Sequence, residues 1–171
     1  YGLDHGIVMA DHWRYRPSEP VQIASVQTVQ RRGWPAANLL VVDEAQCVGW
    51  CRFGPPEELR RITHLRGYDQ GQGEPPDWRI TCFFVDKDHR GQGVAATALT
   101  GALDQIARLG GGRVESYPED TSGRQVSAGF LYNSRLALFE AHGFERERRL
   151  GKHHWVVARQ VRANIAATTT P

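Results

Sequence analysis

The residues best suited to chemistry lie together just past the chain's midpoint, at Val85-Asp86-Lys87-Asp88-His89-Arg90-Gly91-Gln92-Gly93-Val94-Ala95. An apolar run ends at Val85, a short polar turn follows, and a glycine-rich loop opens straight into a helical pattern. Gly91 and Gly93 lack a Cβ, so a ligand can approach the main chain closely there. The first amides of the following helix have no partner within it and form a partly positive concavity suited to phosphate or pyrophosphate. Arg90 adds a full positive charge. Other phosphate-binding patterns fit poorly. A nucleotide P-loop needs a Lys-Ser/Thr pair after its glycine, where this chain has Val94-Ala95. Gly91-x-Gly93-x-x-Ala96 can be read as a dinucleotide fingerprint, but that fingerprint opens an N-terminal strand–helix–strand unit. The bland alternative is an ordinary strand-to-helix turn.

The elements that must hold this loop can be read around it. Arg79–Val85 is the strongest strand pattern, apolar on both faces at its end, as a central strand is. A helix runs from about Val94 to Leu109, with Ala95, Leu99, Ala102, Leu103 and Ile106 on its buried face and Gly110 as its stop. Arg113–Tyr117 reads as a strand, Pro118 to about Gly129 as a polar loop, and Leu131–His142 as a helix ended by Gly143. Phe144 onward and His153–Arg159 read as the last two strands. Upstream, Leu39–Val42 and Cys47–Phe53 flank a polar turn as a hairpin. Before it, Ser18 and Pro20 can start a helix carrying Val21, Ile23, Val26 and Val29. Pro55–Ile62 reads as a short helix, and Gly67–Asp77 as a long Gly-, Gln- and Pro-rich loop of the kind used as a lid or binding loop. A hairpin followed by strand–helix alternation predicts a mixed α/β sheet.

At 171 residues and 19.2 kDa the chain has the size of one domain. Lys and Arg number 21 against 19 Asp and Glu, a net charge of +2, which excludes a polybasic hold on nucleic acid or on an anionic membrane as the whole explanation. Apolar residues at 40% suffice for a core, and no run approaches the roughly 18 apolar residues of a membrane span. Cys47, Cys51 and Cys82 are too few, and odd in number, for a secreted disulfide framework, and no basic-then-apolar leader opens the chain. A reducing, cytoplasmic location is the expectation. The chain starts at Tyr1 without an initiator Met.

The spacing Arg90-x-x-Gly93-x-Ala95, five residues after the end of an apolar strand, resembles the acetyl-CoA pyrophosphate loop of the GNAT superfamily, the general N-acetyltransferases. Leu138-Phe139-Glu140-Ala141-His142-Gly143-Phe144 resembles that family's later helix-to-strand motif. The resemblance covers about Leu39 to Arg159. Val48-Gly49-Trp50-Cys51, Cys82-Phe83-Phe84-Val85 and Tyr117-Pro118 look like segments of actinobacterial members without an assigned substrate. The resemblance implies one acyl-CoA N-acyltransferase domain over residues 1–160, with residues 1–37 without a firm assignment and residues 161–171 a tail. It implies a mixed, mostly antiparallel sheet of about six or seven strands, helices on both faces, and a splayed strand pair formed by Ile80–Val85 and Arg113–Tyr117. Phe83, Phe84 and Val85 would meet the pantetheine arm and the thioester carbonyl. Arg90, Gly91, Gln92, Gly93, Val94 and Ala95 would hold the pyrophosphate. Asn133 would contact the cofactor arm from one residue outside the usual register, and Phe139 would also border it. Acetyl-CoA would be the co-substrate, with no metal, and homodimers are common in the family.

The implied reaction is direct attack of a neutral amine on the acetyl carbonyl, which requires a base or water chain to take a proton and a donor for the leaving thiolate. The family often places a Tyr acid where this chain has Phe139, which has no proton to give. Tyr132, Tyr117 and Ser134 are the substitutes within reach, and Glu115 or Asp77 the carboxylates suited to act as base. His142 beside the helix-ending Gly143 reads as a dipole partner. His153 and His154, adjacent on a strand, point to opposite faces and make a poor metal pair. The cysteines read as core and Trp78 as a pocket wall. A small-molecule amine is the expected acceptor. A protein lysine or peptide, a catalytically silent acyl-CoA sensor, and a nucleotide-binding domain remain the alternatives.

Overall fold

β-Branched and aromatic residues concentrate in the segments that pair. The computed structural model describes residues 22–28, 37–43, 46–71, 73–127 and 133–164. Within these, seven strands form one sheet in the order β1-β2-β3-β4-β5-β7-β6. The strands are β1 (Gln22–Thr28), β2 (Ala37–Asp43), β3 (Gln46–Gly54), β4 (Trp78–Val85), β5 (Gly112–Ser116), β6 (Glu145–Leu150) and β7 (His154–Val161). All neighbouring pairs are antiparallel except β4–β5. The helices are α1 (Leu65–Gln70), α2 (Val94–Arg108) and α3 (Leu136–Ala141).

Strand alternation divides the side chains between two layers. Cys51, Phe53, Ile80, Phe83, Val114 and Val157 join Ala98, Leu99, Ala102 and Ile106 of α2 in the main core. Phe139 of α3, fully buried, packs edge-to-face on Phe83 at 5.8 Å and on Phe144 at 5.1 Å between ring centroids. On the opposite face Tyr117, Leu150 and Val156 pack with Ile62 and with Tyr68 of α1. Helices therefore cover both faces, and the mixed, mostly antiparallel sheet matches the expectation.

Several local expectations are corrected. The expected N-terminal helix is a strand where it is described. β1 pairs antiparallel with β2, and Val and Ile, stiff at χ1, suit that pairing better than a helix. Ser18, Pro20, Val21 and Val29 lie outside the described residues. Pro55–Ile62 forms one turn rather than a helix. Glu58 and Leu59 N–H donate to the Pro55 carbonyl, and the Arg79 guanidinium of β4 then takes the carbonyls of Leu59 (3.0 Å) and Pro56 (3.5 Å) that another helical turn would have used. A helix, α1, begins before the stretch read as a loop and takes up its first residues. α3 starts at Leu136, not Leu131, because Ser134 sits at φ +62° and Arg135 is extended, bridged to Glu119. Val161 is the buried last residue of β7 rather than the first of a tail, and Asn164 N–H still donates to the Ala107 carbonyl at 2.8 Å.

Phe139→Ala would empty the space between β4 and α3. It should lower unfolding free energy by about 3–5 kcal/mol, read from the midpoint of urea unfolding.

Candidate active site

β4 offers a binding edge because β5 parts from it. The two strands pair at Trp78–Val114, Arg79–Glu115 and Ile80–Ser116, and β5 ends there. β4 continues to Val85. This is the splayed pair that the resemblance implies. The β3–β4 ladder slips between Arg52–Cys82 and Phe53–Ile80, leaving Thr81 as the extra, bulged residue at the point of parting. Past the bulge, Asp86 N–H donates to the Val48 carbonyl of β3 at 2.8 Å. Main-chain groups alternate along a strand, so Phe84 also turns toward β3, while Phe83 and Val85 present N–H and C=O to the open side. Of the three residues expected to meet the cofactor arm, the backbone of two faces the cleft. The Phe84 ring is 40% exposed on the face away from α2 and stacks on Trp50 at 6.2 Å.

The glycine loop lies at the end of the same strand. The Asp86 carboxylate accepts from Asp88 N–H at 2.9 Å and meets His89 Nδ1 at 3.1 Å, which shapes a 3-10 turn at Lys87–His89. Gly91 and Gly93 adopt φ of +75° and +80°, a region costly for other residues. A Cβ on either would meet nothing within 4 Å, so the space before the loop is open. Gly93 is the N-cap of α2 and supplies no side-chain cap, leaving the first N–H groups of α2 directed at that opening. Arg90, Gly91, Gln92 and Gly93 are exposed, whereas Val94 is buried. Gly49 of β3 fixes this placement. A Cβ there would come within 2.5 Å of Val94 Cγ1 and 2.8 Å of the Phe84 carbonyl oxygen, so a larger residue would push α2 off the sheet.

Exposed helix-leading amides beside an unpaired strand edge suit a ligand with an anionic end and an amide-bearing arm. The sequence pattern of the Acetyltransferase (GNAT) family matches residues 7–144. The chain belongs to this family of acyltransferases. Solved structures similar to it include an acetyltransferase from Thermus thermophilus, with 17% identity and a TM-score of 0.46 over 76% of this chain and 66% of that one. An acyl-CoA N-acyltransferase from Pseudomonas aeruginosa matches at 15% identity and TM-score 0.46, over 75% of this chain and 73% of that one. The CoA-dependent acyl-homoserine lactone synthase BjaI matches at 15% identity and TM-score 0.49, over 78% of this chain and 63% of its own. The chain thus spans less than two thirds of some of these relatives. No curated protein is detectably similar.

Two of the residues named for acid–base work in this GNAT chain, Glu115 and Tyr117, are buried and bonded to one another. Glu115 is 2% exposed. Its Oε2 accepts from Tyr68 OH at 2.8 Å and Tyr117 OH at 3.1 Å, and its Oε1 from Arg113 Nη2 at 3.3 Å. Tyr117 is fully buried, and burial, then the charge of Glu115, push its phenol above the ordinary range. As placed, neither oxygen opens onto the cleft, so both serve packing and charge balance. Tyr132 lies outside the described residues. Asn133 is buried, and its Nδ2 donates to Thr63 Oγ1 at 3.0 Å. Phe139 is core behind β4. Asp77 Oδ2 accepts from Arg113 N–H at 2.7 Å, and Trp78 Nε1 donates to the Gly111 carbonyl at 2.9 Å, so both close the base of the sheet. His142 Nδ1 bonds the Leu138 carbonyl at 2.7 Å, as the helix-end reading requires. Among the described residues no His, Cys, Asp and Glu gather in threes at metal-holding distance.

Sequence reasoning did not locate the cavity beside β4. It measures about 790 Å³, on the face opposite α2, between the 57–63 segment and Arg52, Thr81 and Cys82, with Asn133 in its wall. It also missed Arg79, whose guanidinium lies over the rings of Tyr68 (5.1 Å) and Tyr117 (5.9 Å) while holding the 56–59 turn. A lone Arg inside the apolar run Trp78–Val85 was the available signal. Tyr68, joined to Glu115 across 47 positions, left none.

Tyr117→Phe should cost about 1.5–3 kcal/mol at neutral pH, the worth of a hydrogen bond to a charged group. Because the folded pKa is raised, the phenol's contribution is complete below the unfolded value of about 10 and declines as pH climbs beyond it. Urea unfolding from about pH 8 to 11 should therefore show a gentler alkaline loss in the variant than in the parent.

Proposed function

We propose that this chain is an acetyl-CoA-dependent N-acetyltransferase acting by direct attack of a primary amine, most naturally that of a small molecule. The observation that carries the reading is the adjacency of two unsatisfied main-chain surfaces. One is the uncapped start of α2 behind Gly91 and Gly93; the other is the open edge of β4 at Phe83 and Val85. The residues present fit such a co-substrate. The amides from Gly93 to Ala95 and the Arg90 guanidinium would hold a diphosphate, with Gly91 and Gln92 shaping the loop. The N–H and C=O groups of Phe83 and Val85 would pair with the amides of a pantetheine arm as a strand would. The Val85 N–H would polarise a thioester carbonyl laid along that edge. When bound, the thioester supplies the acyl group and a leaving thiolate.

No buried acid is needed for that departure. A thiol with pKa of about 8.5–10 leaves as the anion at tolerable cost. That agrees with Phe139 standing in the core and with Tyr117 and Glu115 bound to one another. Tyr132 stays a proposed proton donor, and Asn133, on the cavity side, a proposed contact of the arm or acceptor. Water in the open cleft can take the amine's proton. The free Cys47, Cys51 and Cys82 suit a reducing cytoplasm. Among the described residues no helix is long and apolar enough to cross a membrane.

Phe139 also favours a second reading, a silent acyl-CoA sensor. Release of CoA thiol from acetyl-CoA across a panel of amines decides between them: amine-dependent release supports the enzyme, and binding with no turnover the sensor. Independently, Gly93→Asp should weaken CoA binding by about a hundredfold or more, because it sets a carboxylate against the diphosphate. Gly93→Asn, which tolerates the same backbone angle, should weaken it far less. Equal affinity in the two variants and the parent, read by calorimetry, would remove the loop from the site.

A further inference from the structure

The cavity beside β4 carries charges that cofactor binding leaves unused. Three arginines, Arg52, Arg60 and Arg61, line it together with Glu57 and Glu58. Arg60 is tied down, its Nε donating to the Glu57 carbonyl at 2.8 Å. Among the described residues, Arg52 and Arg61 make no hydrogen bond or ion pair within the chain. Arg52 sits directly across the β3–β4 ladder from Cys82, on the face away from α2. It is close enough to pull the Cys82 thiol down against the larger upward push of burial. Thr81 and Cys82 begin the stretch of β4 that β5 leaves open. An amine that reaches this edge from the cavity must lay the rest of its body between the 57–63 wall, which carries Arg61, and Arg52 on the sheet.

We infer that the acceptor is an amine that also bears an oxyanion, a carboxylate or a phosphate, and that Arg52 and Arg61 hold that oxyanion. The inference rests on the acetyltransferase reading and names its acceptor class. Guanidinium is the side chain best matched to a planar or tetrahedral oxyanion, through paired charge-assisted hydrogen bonds. The acids of the same wall match the other half of such a molecule. Its ammonium is drawn in from solution by Glu57 and gives its proton to water before attack. The volume, about 790 Å³, leaves room for a body larger than a simple alkylamine.

The test uses matched acceptors with the full chain and acetyl-CoA, read by thiol release. They are ω-amino acids of three to six carbons, aminoalkyl phosphates, and plain alkylamines of the same lengths. At least one oxyanion series should exceed the alkylamines about tenfold or more in kcat/KM, and the two series tell carboxylate from phosphate. Arg52→Gln and Arg61→Gln should each raise KM for that series by about tenfold while leaving the dissociation constant of CoA unchanged. Arg52→Lys, which keeps the charge without the fork, should recover part of the loss. Alkylamines used equally well, or a KM unmoved in both Gln variants, would overturn the inference and leave the acetyltransferase reading standing. No turnover with any amine by a chain that binds CoA would defeat that reading instead. The oxyanion site is then judged by calorimetry of 4-aminobutyrate, 3-aminopropyl phosphate and butylamine against the CoA-loaded chain. Preference for neither oxyanion probe over butylamine would sink it.

Discussion

The parting of β5 from β4 after Ile80 and Ser116 governs what this molecule can bind. A strand edge with no neighbour carries donors and acceptors that must find partners in water or in a ligand. The chain enforces the parting with side chains rather than with disorder. Ser116 Oγ donates to the Ile80 carbonyl at 2.7 Å, closing the last position at which β5 could continue the ladder. Pro118 has no N–H to offer, and its carbonyl instead accepts from Trp155 N–H at 3.1 Å. Glu119 then bridges to both Arg135 and His154, which draws the chain across to β7 and the start of α3. Tyr117, between these two anchors, is held down by its full burial and by Glu115.

That anchoring explains why charged residues lie beneath the face opposite α2. Glu115 is a buried carboxylate with three donors, and one of them, Arg113, also reaches Glu147 Oε2 at 2.6 Å. Arg79 stacks on the two tyrosines that bind the same carboxylate, and Arg148 lies 4.8 Å from the centroid of the Tyr68 ring while donating to the Tyr68 carbonyl. Charges so placed are costly to leave without partners, and the partners here come from α1, β4, β5 and β6 and from Tyr117 just past β5. The network therefore fixes the mutual position of the elements around the cleft. A group committed in this way is a poor proton shuttle, because moving its proton would strand its neighbours.

Much of the binding half of the site was legible because it is local. Strand, polar turn, paired glycines and amphipathic helix follow one another from Arg79 to Leu109, and each uses a rule that acts over a few residues. The hairpin of β2 and β3 was legible for the same reason. The N-terminal strand was not, since Ile23 and Val26 sit at a spacing that serves a helix as well as a strand, and pairing with β2 decides. The buried setting of Glu115 and Tyr117 was not legible, because position along a strand tells which face a side chain takes, not what already waits there. Tyr68 reaches Glu115 from 47 positions away, a contact that no spacing encodes, whereas Arg113 and Tyr117, two positions to either side, share its face. Pro55–Ile62 failed as a helix for a related reason: its carbonyls are taken by Arg79, far along the chain.

The two surfaces proposed for the substrates meet through β4. Its open edge and the α2 loop lie on one side of the strand; the cavity walled by Arg52, Thr81 and Cys82 lies on the other face of the sheet. β4 touches both, and the bulge at Thr81 lies where they join. The wall opposite belongs to the 57–63 segment, which is not free to drift. Arg79, rooted in β4 three residues from Cys82, grips the carbonyls of Pro56 and Leu59. Strand and wall are therefore joined by one guanidinium, which helps set the width of the cavity. A change at Arg79 should disturb the cavity wall without touching the glycine loop before α2. That separation is what a two-substrate site needs if acceptors are to vary on a constant cofactor frame.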